Sequence, residues 1–278
     1  VRLVAVVLNW NGGAEVIRAL RSLDGIETIC VDNASTDGSD AEVERAVPGV
    51  ELVRNATNLG YAGGNNVGIR RALDRGADWV LLLNDDAVAE PGLPNALERA
   101  AAARPDAGIL ACKVLNEDGT VQYAGASFNA WLGYSGRREG FGAPDTFRTP
   151  REVGRADGAA MAVSRAVLER CGLLDEALFA YVEDVELSLR ARAAGFAVVL
   201  VPDAVVRHRL GASPGSLYYS ARNTIVVAER LRPLPPGLRA LRRLVVVATH
   251  LAQAPSAWRS VLAGWRDARA GRLGPRFT

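Results

Sequence analysis

The chain has 278 residues, 49% of them apolar and 23% charged, which is material for one large α/β domain, alone or with an appendage. Its three cysteines, Cys30, Cys112 and Cys171, stand far apart without a CxxC, so they read as free thiols of a reducing compartment and exclude a disulfide framework. Net charge is only +2, yet the sole acids between Val205 and Thr278 are Glu229 and Asp267, so the C-terminal quarter is strongly basic and suits a phosphate-rich partner: a diphosphate, a nucleic acid or an anionic membrane surface.

No signal peptide is recognised at the start, and Val1 in place of Met points to a processed or trimmed N-terminus. Leu3 to Asn9 ("LVAVVLN") is an apolar run that ends in polar residues and glycine, the pattern of a buried parallel strand. A helix is expected over Glu15 to Leu23. "TICVDNASTDGS" from Thr28 is a second strand followed by a loop of capping residues, and Glu51 to Asn55 a short third strand. Asn58 to Leu73 opens with a glycine-rich turn and becomes a helix; "WVLLLNDDA" is a fourth strand; Pro91 to Ala103 is a helix with Pro near its start; Ala107 to Leu115 is a fifth strand. Alternating strands and helices predict a doubly wound parallel sheet, with polar residues gathered at the strand ends where such sheets bind ligands.

From Asn116 to Glu152 the pattern blurs into loops or short antiparallel strands suited to a variable substrate. Asp157 to Gly172 reads as a strand into a helix, capped near Ser164 and stopped at Gly172. A helix over Glu183 to Ala194 ends at Gly195, and a strand spans Ala197 to Val201. In the tail, Leu238, Leu241, Leu244, Val245, Ala248 and Leu251 recur at helical spacing, as do Trp258, Val261, Leu262 and Trp265, with arginines on the other faces. Its longest apolar stretch, Leu244 to Ala248, is too short to span a bilayer.

Asn84, Asp85 and Asp86 close the fourth strand. Asn84 and Asp86 are expected on one side, Asp85 on the other. Such a group either solvates a turn or holds a Mg²⁺ or Mn²⁺ ion with a diphosphate, and Asp86 is the best ligand candidate. Asp32 ends the second strand, where a carboxylate caps the next turn or accepts bonds from a nucleotide. Glu183, Asp184 and Glu186 stand at a helix N-terminus; the dipole accounts for one acid more easily than three, which leaves Asp184 as a candidate general base. His208 reads as a loop histidine, a surface residue or a metal ligand; His250, the only other histidine, has no such company. Arg222, in "SLYYSARNT", is either a solvated helix residue or a diphosphate clamp. No GxGxxG follows the first strand and no GxxxxGK[ST] occurs, which argues against a dinucleotide dehydrogenase and a P-loop enzyme.

Taken together and in order, "VVLNWNG", "VDNASTDGS", "NLGYAGGNNVGI", "LLLNDD", "GLLDEALFAYVEDVELSLRARAAGF" and "VVRHRLGAS" resemble the inverting glycosyltransferases of family 2, nearest their rhamnosyltransferase-like and galactofuranosyltransferase-like branch, over roughly Val1 to Arg230. The resemblance implies a GT-A fold: a Rossmann-like, mostly parallel sheet flanked by helices, here with a C-terminal helical appendage. Residues 1–230 would be the catalytic domain, with 1–115 its nucleotide-binding half and 116–230 its acceptor and catalytic half, and 231–278 a basic amphipathic tail. It implies nucleotide contacts by Asn9, Trp10, Asn11, Asp32, Asn58, Gly60 and Asp85, and a metal site of Asp86, His208 and Asn84. The family's Asp-any-Asp site has Asn at position 84 here, which puts strict metal dependence in doubt. Glu183 and Asp184 match the catalytic acidic pair, with Asp184 the base; Arg222, Trp131 and Asp157 would face diphosphate or acceptor. The expected reaction moves a sugar from dTDP-rhamnose or a UDP-sugar to a hydroxyl of a cell-surface glycan or lipid-linked acceptor, assisted by Mn²⁺ or Mg²⁺. Expected partners are that donor and acceptor and an anionic membrane touched by the tail, at the cytoplasmic face, with no nucleic acid and the oligomeric state open. A sugar-phosphate nucleotidyltransferase is disfavoured because "NWNGG" carries no cation, and a non-catalytic nucleotide-sugar-binding subunit because Glu183, Asp184 and His208 are retained.

Overall fold

The computed structural model of the chain describes residues 1–135, 138–209 and 215–276. Residues 136 and 137 of the irregular segment, 210–213 of the "VVRHRLGAS" stretch and the last two of the tail lie outside the described residues.

The apolar runs form strands where expected: β1 (Leu3–Asn9), β2 (Glu27–Asp32), β3 (Glu51–Arg54), β4 (Trp79–Asn84) and, after the three-residue β5 (Ala87–Ala89), β6 (Ala107–Leu115). Between them lie α1 (Gly13–Ser22), α2 (Ser39–Ala46), α3 (Gly60–Asp74) and α4 (Leu93–Ala103). Val4 to Val7 and Val80 to Leu83 are buried on both sheet faces, so the runs do not alternate. Each buried valine or leucine among them stabilises the fold by about 1.5–3 kcal/mol.

The irregular segment contains β7 (Val121–Tyr123), β8 (Phe128–Asn129), β9 (Tyr134–Ser135) and β10 (Arg151–Glu152). It is followed by β11 (Ala160–Ser164), α5 (Arg165–Cys171), α6 (Glu183–Ala193), β12 (Ala197–His208), α7 (Ser216–Leu231), α8 (Pro236–Gln253) and α9 (Trp258–Arg269). Ser164 caps α5 as expected, its hydroxyl accepting from the Val167 amide.

The main sheet runs β10-β12-β6-β11-β4-β1-β2-β3, with β5 on β12 and β7 on β6. It is mostly parallel, but β11 is antiparallel to both β4 and β6, a departure from the doubly wound expectation. No helix forms among the described residues between β6 and β11, and a parallel return needs a crossover. β12 is longer than expected. The expected end at Val201 precedes Pro202; a register shift between Val201 and Val205 takes up Pro202 to Ala204, and the strand continues to pair its last three residues with β5.

α8 and α9 pack on α7, joining Ala221, Val247 and Val261 in one buried cluster. Gly264 is required there, because a Cβ would press on the Tyr218 carbonyl. Tyr218 donates to Asp267 at 2.7 Å across the same contact.

Candidate functional site

Parallel pairing sets the ends of β1, β2 and β4 side by side: Asn9 opposite Asp32, and Leu8 opposite Asn84. Asn9 is fully buried and braces the loop beyond it. Its Nδ2 donates to Asp32 at 2.8 Å and to Ser39 at 2.9 Å, and its Oδ1 accepts from the Gly12 amide at 3.1 Å. Asp32, also buried, accepts from the Ser35 amide at 3.1 Å. Asn11 adopts φ 58° and accepts from the Thr36 amide, while Trp10 beside it stays half-exposed. Asn58 accepts from Asn33 and from the Gly60 amide at 2.9 and 2.8 Å. Gly60, at φ +72°, lies so close to Phe179 that a Cβ would strike its carbonyl and ring. Of the expected nucleotide residues, Asn9 has both side-chain polar atoms engaged within the protein, Asp32 accepts at both carboxylate oxygens, and Asn58 accepts at Oδ1.

Asp85 and Asp86 form the turn between β4 and β5 and diverge. Asp85 accepts from the Trp10 amide at 3.2 Å, and burial pushes its carboxyl up to about 7. Asp86 faces the end of β12, because β5 pairs Ala87 with His208. His208 Nε2 lies 3.0 Å from Asp86 Oδ1. Its Nδ1 lies 2.7 Å from Oε1 of Gln122. Gln122 is held in that sense by its own amide nitrogen, which donates to Asn116 Oδ1 and to the His208 carbonyl, both at 3.1 Å. Nδ1 therefore carries the proton in the neutral ring, and Nε2 presents its lone pair to Asp86. The expectation of a loop histidine is corrected: His208 is the last residue of β12.

The antiparallel β11 supplies the second half. The Asn84 amide donates to the Ala159 carbonyl at 3.0 Å, which sets Asp157 and Gly158 beside the turn that carries Asp85 and Asp86. The Gly158 amide donates to Asp184 Oδ2 at 2.8 Å, and Tyr61 from α3 donates to the Gly158 carbonyl at 2.6 Å. Arg138 approaches Asp157 at 3.0 Å. Burial raises Asp157, but Arg138 and Arg155 outweigh it and hold that carboxyl below its ordinary range. Burial raises Asp184, with Arg155 opposing and Asp157 adding to it. Glu183 is driven well above the carboxylate range by burial and by Asp184. Glu183 is 4% exposed, whereas Asp184 is partly open. Of the acidic pair, Asp184 is the one placed to take a proton.

The segment before α6 is strained. Phe179, Tyr181 and Val182 adopt φ of 66°, 67° and 74°. Asn223 Nδ2 donates to the carbonyls of Leu178, Ala180 and Tyr181 at 2.7–2.9 Å and holds the segment there. Arg222 is turned the same way: 1% exposed, it donates to the carbonyls of Leu178 and Gly274 at 2.8 and 2.7 Å. It braces the strained turn and the tail, and its polar atoms are taken. Trp131 stands by the tail under Arg232, 3.4 Å from ring centre to guanidinium carbon.

Sequence reasoning passed over Gln122, Tyr61, Arg138 and Arg155, and set Asn223 beside Arg222 in "SLYYSARNT" without a role of its own. Gln122 left a trace as the one amide in the apolar stretch "VQYA", and Arg155 stands two residues before Asp157.

The residues fit a divalent cation. Asn84 Oδ1 and Asp86 Oδ1 are buried and accept no hydrogen bond, and the lone pair of His208 Nε2 faces Asp86. An amide oxygen, a carboxylate and an imidazole suit Mn²⁺ or Mg²⁺ when diphosphate oxygens complete the shell. Among the described residues, no group of three or more His, Cys, Asp or Glu could hold a metal, so a cation there would need Asn84 and ligand oxygens besides Asp86 and His208.

Residues 3–232 match the family described as "Glycosyltransferase like family 2". The N-acetylglucosaminyl-diphospho-decaprenol L-rhamnosyltransferase of Mycobacterium tuberculosis is 32% identical over 240 residues, 77% of this chain and 78% of that protein. The dTDP-rhamnosyl transferase RfbF of Shigella flexneri is 25% identical over 270 residues, 89% of this chain and 86% of that one. Among solved structures, GalNAc-T7 with UDP, GalNAc and Mn²⁺ matches with a TM-score of 0.64 at 18% identity, over 93% of this chain and 57% of that one. The shared fold is GT-A.

Proposed function

The chain belongs to glycosyltransferase family 2, and from that premise we propose that it is an inverting transferase acting on a nucleoside-diphosphate sugar and a hydroxyl acceptor. The observation that carries this is β11, which holds the partly open Asp184 carboxylate, through Gly158, beside the turn that carries Asp86 and its neighbour His208. A base and an electrophilic end stand near enough for a donor sugar to lie between them, attacked on one side and losing the diphosphate on the other.

Asp184 takes the proton from the acceptor hydroxyl. The acceptor oxygen then bonds to the anomeric carbon from the face opposite the diphosphate, whose C–O bond breaks, and the configuration inverts. Asp32, Trp10 and Asn11 line the nucleotide end, while Asn9 and Asn58 shape the loops around it. Asn84, Asp86 and His208 would hold Mn²⁺ or Mg²⁺, which when bound offsets the charge of the departing diphosphate. Asp157, held anionic by Arg138 and Arg155, stands on the acceptor side in this reading and raises the proton affinity of Asp184.

The names of the relatives favour a rhamnosyl donor such as dTDP-rhamnose and, in one, an acceptor that is a sugar on a lipid diphosphate. In this reading the acceptor is met at the cytoplasmic face of a membrane, during cell-surface glycan synthesis. Residues 1–230 form the catalytic unit in this reading and 231–278 the tail. The test is transfer and hydrolysis with dTDP-rhamnose and UDP-sugars, with and without Mn²⁺, and the anomeric configuration of the product read by NMR. Turnover with inversion is expected. Retention of configuration, or no turnover of any sugar nucleotide, overturns the reading.

A further inference from the structure

One helix of the tail is oriented against the ordinary rule for a helix in water. Leu238, Leu241 and Leu244 of α8 are 53%, 57% and 59% exposed. Ala240 and Ala248 are exposed with them. The same helix buries Arg242 to 3%, where Nη1 donates to the carbonyls of Ala130 and Arg232 while Nε and Nη2 meet no acceptor. In water alone the reverse is favoured, with leucines packed inside and the guanidinium solvated. Val246 and Val247 on the inner face pack toward α7, so α8 lies along the protein surface.

We propose that the outer face of α8 inserts into the headgroup–acyl boundary of an anionic membrane, with Trp131 and Trp258 as flanking anchors. The Arg242 bond to the Ala130 carbonyl and the close approach of Gly133 to Val246 set the 130–133 loop against α8, and Trp131 and Leu132 in that loop are 52% and 49% exposed. Trp258 at the start of α9 is 49% exposed. Each tryptophan carries an arginine on its ring, Arg232 on Trp131 and Arg259 on Trp258, an apolar body with a cationic tip suited to the interface.

Charge selects the occupant. Glu229 and Asp267 are the only acids after Asp203, and both are already paired, with Arg243 and with Arg272 and Arg276. The rim is therefore cationic. A second copy of the chain would bring the same sign against it, whereas anionic lipid supplies the complement. No helix among the described residues is long and apolar enough to cross a membrane, and a helix lying in the interface plane needs only one apolar face. The surface rests on the proposed function only for its purpose, which is to hold the site near a lipid-linked acceptor.

The test is co-sedimentation of the full chain with vesicles of phosphatidylglycerol and phosphatidylethanolamine, against vesicles of phosphatidylcholine alone. The wild-type chain is expected to bind the anionic vesicles about tenfold more tightly or better. The double variant Leu241→Glu and Leu244→Glu is expected to lose binding by about tenfold or more with an unchanged thermal midpoint, since both side chains already face solvent. A wild-type chain that stays in the supernatant, or a variant that binds as well, overturns the proposal. So does a free dimer that the variant splits while vesicle binding persists, which would make the face a self-interface. Turnover with a water-soluble acceptor, read in the same samples, is independent: its absence faults the functional reading and leaves the vesicle result to decide the surface.

Discussion

His208 Nε2 and Asp86 Oδ1 lie 3.0 Å apart, although the bond from His208 Nδ1 to Gln122 leaves a lone pair on Nε2. Two lone pairs at that distance repel unless a proton or a metal ion lies between them. Gln122→Ala frees the ring to rotate and to change tautomer. Mn²⁺ affinity in the presence of nucleoside diphosphate, read from the free-ion EPR signal, is expected to fall by about 10–100-fold. Unchanged affinity would remove Gln122 from the site.

Asn84→Asp places a third carboxylate in the stretch 84–86. Without metal the added like charge lowers the thermal midpoint, and with Mn²⁺ the extra anionic ligand raises it and tightens Mn²⁺ binding by about tenfold. Differential scanning fluorimetry with and without Mn²⁺ reads both signs at once. A variant destabilised equally in both conditions would show that Asn84 does not face the ion.

Asp85 titrates near 3.8 when unfolded and, pushed up by burial, at about 7 when folded. Below 3.8 both states are protonated and the neutral carboxyl's contribution is fully present. It declines as pH rises between those values, because the folded state keeps a proton that the unfolded state has lost, and is gone above 7. The deficit at pH 8 is at most about 4 kcal/mol, from 1.36 kcal/mol per pKa unit. Asp85→Asn is expected to raise the denaturation midpoint of the metal-free protein at pH 8 and to leave it unchanged near pH 3.

Asp184→Asn keeps the shape and an acceptor for the Gly158 amide but removes the base. The rate constant kcat is expected to drop by about 10²–10⁴-fold. Donor affinity by calorimetry should change by less than about threefold. In the parent enzyme kcat/KM is expected to fall on the acid side through a pKa above the ordinary carboxylate range, since burial raises Asp184. Substantial turnover in the variant would move the base elsewhere.

Asn223→Ala strips three carbonyls of the 178–181 turn of their shared donor. Stability is expected to fall by about 2–3 kcal/mol in urea, and kcat more than donor affinity, because the strained turn presents Asp184. A stability loss with kcat unchanged would make the contact merely structural.

Much of the frame was legible beforehand. Apolar runs with abrupt polar ends located β1, β2, β4 and β6, because a strand buried on both faces marks itself residue by residue. The same local signal located Asp32, Asp86 and the Glu183–Asp184 pair at element ends. It misjudged Arg222, since an arginine on a polar-looking helix gives no sign that the carbonyls of Leu178 and Gly274 lie inward of it. It also ended β12 at Val201, since a proline inside a strand ordinarily stops it and only pairing to β5 shows that it continues.

By itself, then, the sequence determined which residues stand at the ends of which elements, because period, burial and caps are properties of neighbouring residues. The tertiary structure decided which ends meet. The reversed direction of β11 joins Asp184 to the Asp86 turn, and the kinked β12 returns His208 to Asp86 from 122 positions along the chain. The packing of α8 on α7 decided that leucines, and not arginines, face outward. Those outcomes rest on pairings between distant segments, and a local pattern carries no information about the partner that it will meet.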